Sequence, residues 1–72
     1  MSEKDVELLQ IVEAHAEVTL GELSSLTGEE LIVLRRRCEH LVDADLLAVQ
    51  SHGYFRCYAV TDAGRDVING GA

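Results

Sequence analysis

The chain of 72 residues contains no proline and no tryptophan, and its aromatic residues are two tyrosines and one phenylalanine. Its two cysteines are too few for the disulfide framework that holds many small secreted domains together. No apolar run reaches the ~18 residues of a membrane-spanning helix, and no internal repeat or low-complexity tract is present. These absences argue against a disulfide scaffold, a membrane protein and a repeat protein. They predict a soluble domain with an aliphatic core.

The length and the 47% hydrophobic content indicate one globular domain, close to the lower size limit for a core that folds unaided. We expect this domain to span residues 1–68, and the tail 69–72 to fray. The acidic N-terminus, Ser2–Asp5, is the wrong composition for a signal peptide, so a cytoplasmic protein is expected. Small chains often gain stability by dimerising, which would turn any remaining apolar surface into an interface.

Positive charge is scarce and is concentrated in one segment. Thirteen Asp and Glu residues face six Lys and Arg residues, which gives a formal net charge of −7. Three of the basic residues are consecutive, Arg35–Arg37. The balance resembles that of proteins from salt-in halophilic archaea, whose acidity keeps the surface hydrated. A small acidic interaction domain from another source would show the same balance.

Three segments carry apolar residues at helical spacing and have start or stop signals. Ser2 and Thr19 are suited to cap the first two helices, and the short extended pair Val18-Thr19 lies between them. Gly28 is suited to end the second helix, because glycine readily adopts the left-handed conformation. The predicted ranges are Ser2–His15, Leu20–Leu26 and Glu29–Ala44. The predicted buried residues are Val6, Leu8, Leu9, Ile11, Val12 and Ala16 in the first helix, and Leu20, Leu23 and Leu26 in the second.

After Asp45 the pattern changes to strands. Two runs, Leu46–Ser51 and Tyr54–Val60, are separated by His52-Gly53, which is a signal for a two-residue hairpin turn. Thr61 is suited to cap a final helix, predicted over Asp62–Asn69 and closed by Gly70. The order is helix, short strand, helix, helix, strand, strand, helix.

This order of elements resembles the winged helix-turn-helix family, particularly small archaeal and bacterial transcriptional regulators. The resemblance covers residues 5–68 and rests on Val18–Leu23, Leu26–Gly28, Cys38, Leu41, Ala44–Leu47 and Tyr58–Gly64. It implies an α+β fold with a three-helix core, a two-stranded wing and a short C-terminal helix. Two positions depart from the family pattern. Asp45 replaces the usual glycine, whose left-handed geometry Asp tolerates, and Glu29 replaces the usual apolar residue after the turn.

Rotation by ~100° per residue separates the third helix into two faces. Leu31, Leu34, Cys38, Leu41 and Val42 form the predicted buried face. The predicted outward face comprises Glu29, Ile32, Val33, Arg36, His40 and Asp43. Adjacent arginines cannot share one face, so Arg36 points straight outward and Arg35 and Arg37 flank it.

The family resemblance implies a DNA-binding regulator that uses the third helix in the major groove and the hairpin 46–60 as a wing. Arg36 is placed to bind a guanine edge, and Ile32 or Val33 to contact a thymine methyl group. Flanking arginines would bind phosphates, which positions the protein without reading sequence. The predicted DNA-binding residues are Ile32, Val33, Arg35, Arg36, Arg37, His52 and Arg56. We expect double-stranded DNA as the partner, and a homodimer formed through the first and last helices.

Two alternatives remain open. The flanking arginines would be merely solvated charges if they paired with neighbouring carboxylates such as Glu39. Ile32 and Val33 are also unusually apolar for an outward face, and Glu29 and Asp43 would oppose phosphates. An acidic winged-helix adaptor that binds another protein through the third helix, without DNA affinity, is therefore the competing hypothesis.

No catalytic or cofactor site is predicted. Cys38, His40, His52 and Cys57 supply the residue types of a structural zinc site, but Cys38 lies on the buried face while His40 points outward. A redox pair of Cys38 and Cys57 would require the two thiols to approach within disulfide geometry. No nucleophile and base stand in a useful arrangement, so we expect a non-enzyme without metal or cofactor.

Overall fold

The computed structural model describes residues 2–70, except for the side chain of His52. Met1 and the last two residues of the predicted tail lie outside the described part. The elements follow the predicted order: α1 (Glu3–Ala14), α2 (Leu20–Thr27), α3 (Leu31–Asp43), β1 (Leu47–His52), β2 (Phe55–Val60) and α4 (Asp62–Ile68). The predicted α+β architecture, with a three-helix core, a two-stranded hairpin and a short last helix, is confirmed.

Side-chain caps fix the starts of three helices where the sequence predicts them. The Ser2 hydroxyl accepts a hydrogen bond from the Asp5 N–H, at 3.3 Å. Thr19 and Glu22 form a reciprocal capping box, in which each side chain accepts from the other residue's backbone N–H. Thr61 accepts from the Gly64 N–H. Each cap satisfies a backbone donor that the first helical turn leaves unpaired.

The third helix begins at Leu31, two residues later than predicted. Gly28 adopts the left-handed conformation, with φ of 75°, and ends α2 as expected. The Glu29 N–H then donates to Thr27 Oγ1, and the Ser24 hydroxyl donates to the Glu29 carbonyl. These bonds to the end of α2 hold Glu29 outside the helix. Glu30, in extended conformation, takes the N-cap position without a side-chain hydrogen bond.

The hairpin turn is displaced by one residue from the prediction. His52 pairs with Phe55 at the end of the antiparallel register, so the two turn residues are Gly53 and Tyr54 rather than His52 and Gly53. Gly53 has φ of 66°, which glycine adopts without steric cost and which suits the first position of a tight hairpin turn. The predicted short extended segment is confirmed, since Val18 bridges β2 at Tyr58.

The core lies where α1, α2 and α3 meet the inner face of the hairpin. Its buried members are Leu8, Leu9, Val12, Val18, Leu23, Leu34, Cys38, Leu41, Leu46, Leu47, Tyr58 and Val60. Seven predicted core residues are not among them: Ile11, Leu20 and Val42 are partly buried and pack against the core, Val6 is half-buried, and three others lie outside it. Leu26 is 50% exposed and Leu31 is 53% exposed, and Ala16 lies beyond the end of α1 with a positive φ. Among residues 2–70, no helix has both the length and the apolar character needed to cross a membrane.

One tight joint connects the end of α3, the start of β1 and α4. Asp45 adopts the left-handed conformation, with φ of 63°, as expected for a residue that replaces glycine. Its carbonyl accepts a hydrogen bond from the Thr61 hydroxyl at 2.6 Å. A Cβ atom on Gly64 would overlap the carbonyl oxygen of Leu46. Position 64, in the first turn of α4, therefore needs glycine because two backbones approach closely there.

Candidate nucleic-acid interface

The outward face of α3 is oriented by the burial of its inner face. Leu34, Cys38 and Leu41 are at most 1% exposed and belong to the central core. Because α3 is locked through these residues, its opposite side is presented to solvent. Ile32 is 63% exposed, and Arg36 also lies on the exposed side. This arrangement agrees with the two faces predicted from helical periodicity, except for Leu31 and Glu29.

The first of the three arginines pairs along its own helix. Arg35 Nε lies 3.2 Å from Glu39 Oε1, one turn later on α3, and both side chains are more than half exposed. Exposed pairs at this spacing contribute only ~0.3–0.5 kcal/mol and are screened by salt. Glu39 is the carboxylate that the solvated-charge alternative named. The pair is weak enough for a phosphate to displace Glu39 from Arg35.

The third arginine turns away from the outward face. Arg37 Nη1 lies 3.5 Å from Glu29 Oε2, and both side chains are less than a third exposed. Arg37 and Glu29 line a depression together with Lys4 and Ile11 of α1. Glu29 therefore faces α1 and Arg37, and its predicted place beside Arg36 is wrong. The reason is the two-residue delay in the start of α3, which removes Glu29 from the helical rotation.

The middle arginine is left without a carboxylate. Arg36 is exposed and makes no ion pair with any side chain in the described part of the chain. Asp43, the acidic residue that the prediction placed on the same face, lies almost two turns further along α3. The guanidinium of Arg36 is therefore available to bind a ligand without first breaking an ion pair.

The hairpin brings a second arginine beside the start of α3. Arg56 pairs with Ser51 and lies two residues before Tyr58, so both side chains belong to the hairpin face that turns toward the core. Arg56 and Arg35 line one depression together with Leu20 and Tyr58. Burial raises the pKa of the Tyr58 phenol, while the nearby Arg56 and Arg35 oppose this increase. Two cations thus converge at the junction of α2, α3 and the wing.

The tip of the hairpin carries aromatic residues that are not among the predicted DNA-binding residues. Tyr54 is fully exposed and Phe55 is two-thirds exposed. The turn signal could have identified Tyr54, since the residues of a two-residue turn have no room to pack inward. His52 contributes its backbone to β1 opposite Phe55, and its side chain lies outside the described part.

The cysteines lie on opposite faces of the hairpin. Tyr58 is buried against the core, where Cys38 is one of the groups that raise its pKa. Cys57 is the preceding residue in β2, so its side chain points to the other face. Both cysteines are free. Burial raises the pKa of the Cys38 thiol to about 11, and Glu39 adds to this effect. A thiol with so high a pKa is unreactive at neutral pH.

Cys38 and His40, two of the four residues that would supply zinc ligands, are not brought together. Within the described side chains, no group of three or more His, Cys, Asp or Glu residues is arranged to hold a metal ion. Cys38 is enclosed in the core, while His40 is exposed on the other side of α3. This separation agrees with the expected division of the two residues between the faces of the helix.

Several solved structures share this fold. A cysteine-to-serine variant of MarR from E. coli, in complex with operator DNA, matches with a TM-score of 0.91 and 17% identity, covering 96% of this chain and 51% of that chain. RV1404 from Mycobacterium tuberculosis matches with a TM-score of 0.90 and 26% identity, covering 96% and 49%. AF1382 from Archaeoglobus fulgidus matches with a TM-score of 0.84 and 15% identity, covering 96% and 80%.

The present chain spans about half the length of the first two structures. No protein-family model matches the sequence, and no curated protein does. The likeness therefore lies in three-dimensional structure far more than in sequence. The chain has the winged-helix fold of these proteins, with α2 and α3 as the helix-turn-helix and β1 and β2 as the wing.

Proposed function

We propose that this chain is a DNA-binding domain that regulates transcription. In this proposal, α3 enters the major groove and the hairpin formed by residues 46–60 contacts DNA as the wing. The observation that carries the proposal is Arg36, an unpaired and exposed guanidinium on the outward face of a helix whose inner face is locked in the core. The fold that this chain shares with MarR supports the proposal, since one of the MarR structures contains operator DNA.

Base recognition is assigned to the outward face of α3. Arginine binds the O6 and N7 atoms of guanine through two hydrogen bonds, and aliphatic side chains contact the methyl group of thymine. Arg36 would make the guanine contact. Ile32 and Val33, which are both exposed beside it, would make the methyl contacts.

Phosphate binding is assigned to the cations around that face. Arg35 and Arg56 share one depression between α3 and the wing, so they would bind phosphates of the same segment of the DNA backbone. Arg37 and His52 remain predicted contacts at the edges of the interface. Arg37 would first have to leave Glu29, which makes its contribution the smallest of the three consecutive arginines.

The acidity of the chain is compatible with this mode of binding. Each phosphate that a protein neutralises steepens the loss of affinity with salt. A domain that uses few arginines and an apolar helix face depends less on counterion release.

We therefore retain the proposals of a halophilic archaeal host and a cytoplasmic location. We also propose a homodimer that places two α3 helices on half-sites ~34 Å apart.

The proposal is tested by selecting duplexes from a random library and measuring retardation across a range of salt concentrations. Arg36→Ala should cost ~1–3 kcal/mol and relax specificity at one base position. Arg35→Ala should weaken binding to all sequences alike and reduce the salt slope by about one. Arg65→Ala is the matched control, since Arg65 lies on α4 and pairs with Glu13 and Asp62.

Absence of retardation for every duplex, at any salt concentration, would contradict the proposal. Equal losses for Arg36→Ala and Arg65→Ala would contradict the assignment of α3. The competing adaptor hypothesis predicts a different outcome, in which DNA is not bound and Ile32→Glu abolishes capture of a protein partner.

A further inference from the structure

A shallow apolar depression lies on α1 and the end of α2, and no residue of α3 lines it. Its lining residues are Glu7, Gln10, Ile11, Ala14, His15 and Leu26. Ile11 is half-buried at its centre, and Leu26 contributes an exposed leucine from the end of α2. Leu26 and Ile11 thus present adjacent apolar surface from two helices.

This depression does not coincide with the side of α1 that packs against α4. On that other side, Arg65 Nε of α4 lies 3.1 Å from Glu13 Oε2. A rotation of ~100° per residue places Glu13 about a third of a turn away from the middle of the depression. The contact between α1 and α4 is already made within one chain, so the surface left for a partner is formed by α1 and α2.

Two polar side chains of opposite character flank this surface, so two copies related by a two-fold axis would be complementary. Glu7 and Ile11 lie on α1, and His15 is the C-cap residue that follows it. The three are spaced by four residues and line the same depression, so they form one row along this side of the helix. Glu7 and His15 are both exposed, and neither side chain has a hydrogen bond or ion pair within the described part of the chain. Each lies ~6 Å from Ile11 along the helix axis, in opposite directions.

An antiparallel pair of α1 helices uses this symmetry. If the two copies of Ile11 face each other across a two-fold axis, Glu7 stands opposite His15 of the partner subunit, and the reverse contact is identical. Imidazole retains an N–H donor whether neutral or protonated, so the carboxylate can accept a hydrogen bond in either state. The apolar centre and the two flanking contacts thus form a closed, self-matching interface.

We propose that the depression formed by α1 and the end of α2 binds a second copy of this chain, with the two α1 helices antiparallel and Ile11 at the two-fold axis. Leu26 packs at the rim of the contact, beside Ile11. This inference deepens the homodimer part of the proposed function. It replaces the predicted interface of the first and last helices by one of α1 and α2, since α4 lies on the other side of α1.

The test uses a charge exchange between two variants of the full chain, measured without DNA. In Glu7→Lys, both cross-subunit contacts become repulsive or neutral, and in His15→Glu two like charges face each other twice. Each variant alone should dimerise at least ~10-fold more weakly than the original chain, as measured by sedimentation equilibrium. In an equimolar mixture, with one variant labelled with ¹⁵N, native mass spectrometry should show the heterodimer as the main dimer.

Asp66→Lys is the matched control for net charge, because Asp66 is exposed on α4 and the substitution changes the charge by the same amount as Glu7→Lys. Asp66→Lys should leave the dimer dissociation constant within about twofold of the original value. A variant that fails to fold would not be rescued by mixing, so the appearance of a heterodimer cannot arise from misfolding.

Three results would overturn the proposal: a chain that stays monomeric up to about 1 mM, equal weakening by Asp66→Lys and Glu7→Lys, or a mixture in which the heterodimer is not favoured. These measurements contain no DNA, and the retardation experiments detect DNA binding by any oligomer. Failure of this interface and failure of the proposed DNA binding can therefore be told apart.

Discussion

The two faces of α3 differ in how strongly their side chains are constrained. On the inner face, Leu34 and Cys38 are completely buried. On the outer face, the similarly apolar Ile32 is exposed, and Arg36 has no carboxylate partner in the described part of the chain. Apolar character is thus common to both faces, and neighbouring elements decide which one becomes core. The inner face determines stability and orientation, whereas the outer face remains free to determine what is bound.

The largest expected effect separates the two faces by stability. Leu34→Ala should lower the free energy of unfolding by ~2–5 kcal/mol, because it leaves a cavity beneath α3. Ile32→Ala should lower it by less than ~1 kcal/mol, since much of that side chain is already in water. Urea unfolding followed by circular dichroism measures both. Similar losses for the two variants would show that the outer face is packed against something else.

The second prediction concerns the pH dependence of the inner face. The pKa of Cys38, raised to about 11, lies above its ordinary value of 9.0. The folded state therefore holds the proton more tightly, so stability is unaffected below pH 9 and falls between pH 9 and 11. The loss should approach ~2–3 kcal/mol.

The control for this prediction is Cys38→Ala, which removes the titrating group while retaining a small side chain. The difference in unfolding free energy between the original chain and Cys38→Ala should shrink as the pH rises from 9 to 11. A constant difference would mean that the Cys38 thiol has the same pKa in the folded and the unfolded state. Alkylation at pH 8 offers a second readout, in which the half-buried Cys57 should react well before Cys38.

The smallest expected effect concerns the ion pair at the edge of the outer face. Glu39→Gln releases Arg35 and should cost less than ~0.5 kcal/mol of stability. If α3 binds DNA, the substitution should raise affinity for all duplexes and steepen the salt dependence by up to one phosphate contact. Asp66→Asn removes an equal charge from α4 and should have a smaller effect. If the two variants raised DNA affinity equally, Glu39 would act only through the net charge of the chain and not through its pair with Arg35.

Much of the fold could be predicted because its signals are local. The caps Ser2, Thr19 and Thr61 each act within three residues of their own helix, and the left-handed Asp45 was expected from the glycine it replaces. The start of α3 could not be found in this way. Its position depends on the hydrogen bond from Ser24 to the Glu29 carbonyl, which ties the turn back onto α2 and which helical periodicity does not reveal.

The candidate site was predictable to a similar extent. Helical periodicity correctly placed Ile32 and Arg36 outward, because it describes rotation about a single axis. The errors at Leu26 and Leu31 arose because the same periodicity does not reveal whether another element covers a given side. The convergence of Arg35 and Arg56 had no local signal, since these residues are brought together by the packing of the hairpin beside α3.

The sequence by itself determined the order of the elements, their caps and the division of α3 into an inner and an outer face, because each depends on chain neighbours within one or two turns. The tertiary structure decided which of the three consecutive arginines is left free. Arg37 is held by Glu29 from before the helix and Arg35 by Glu39 from within it, while Arg36 has no carboxylate within reach in the described chain. The Arg35–Glu39 pair follows from the four-residue spacing within α3, whereas the Arg37–Glu29 pair depends on where the turn after α2 places Glu29.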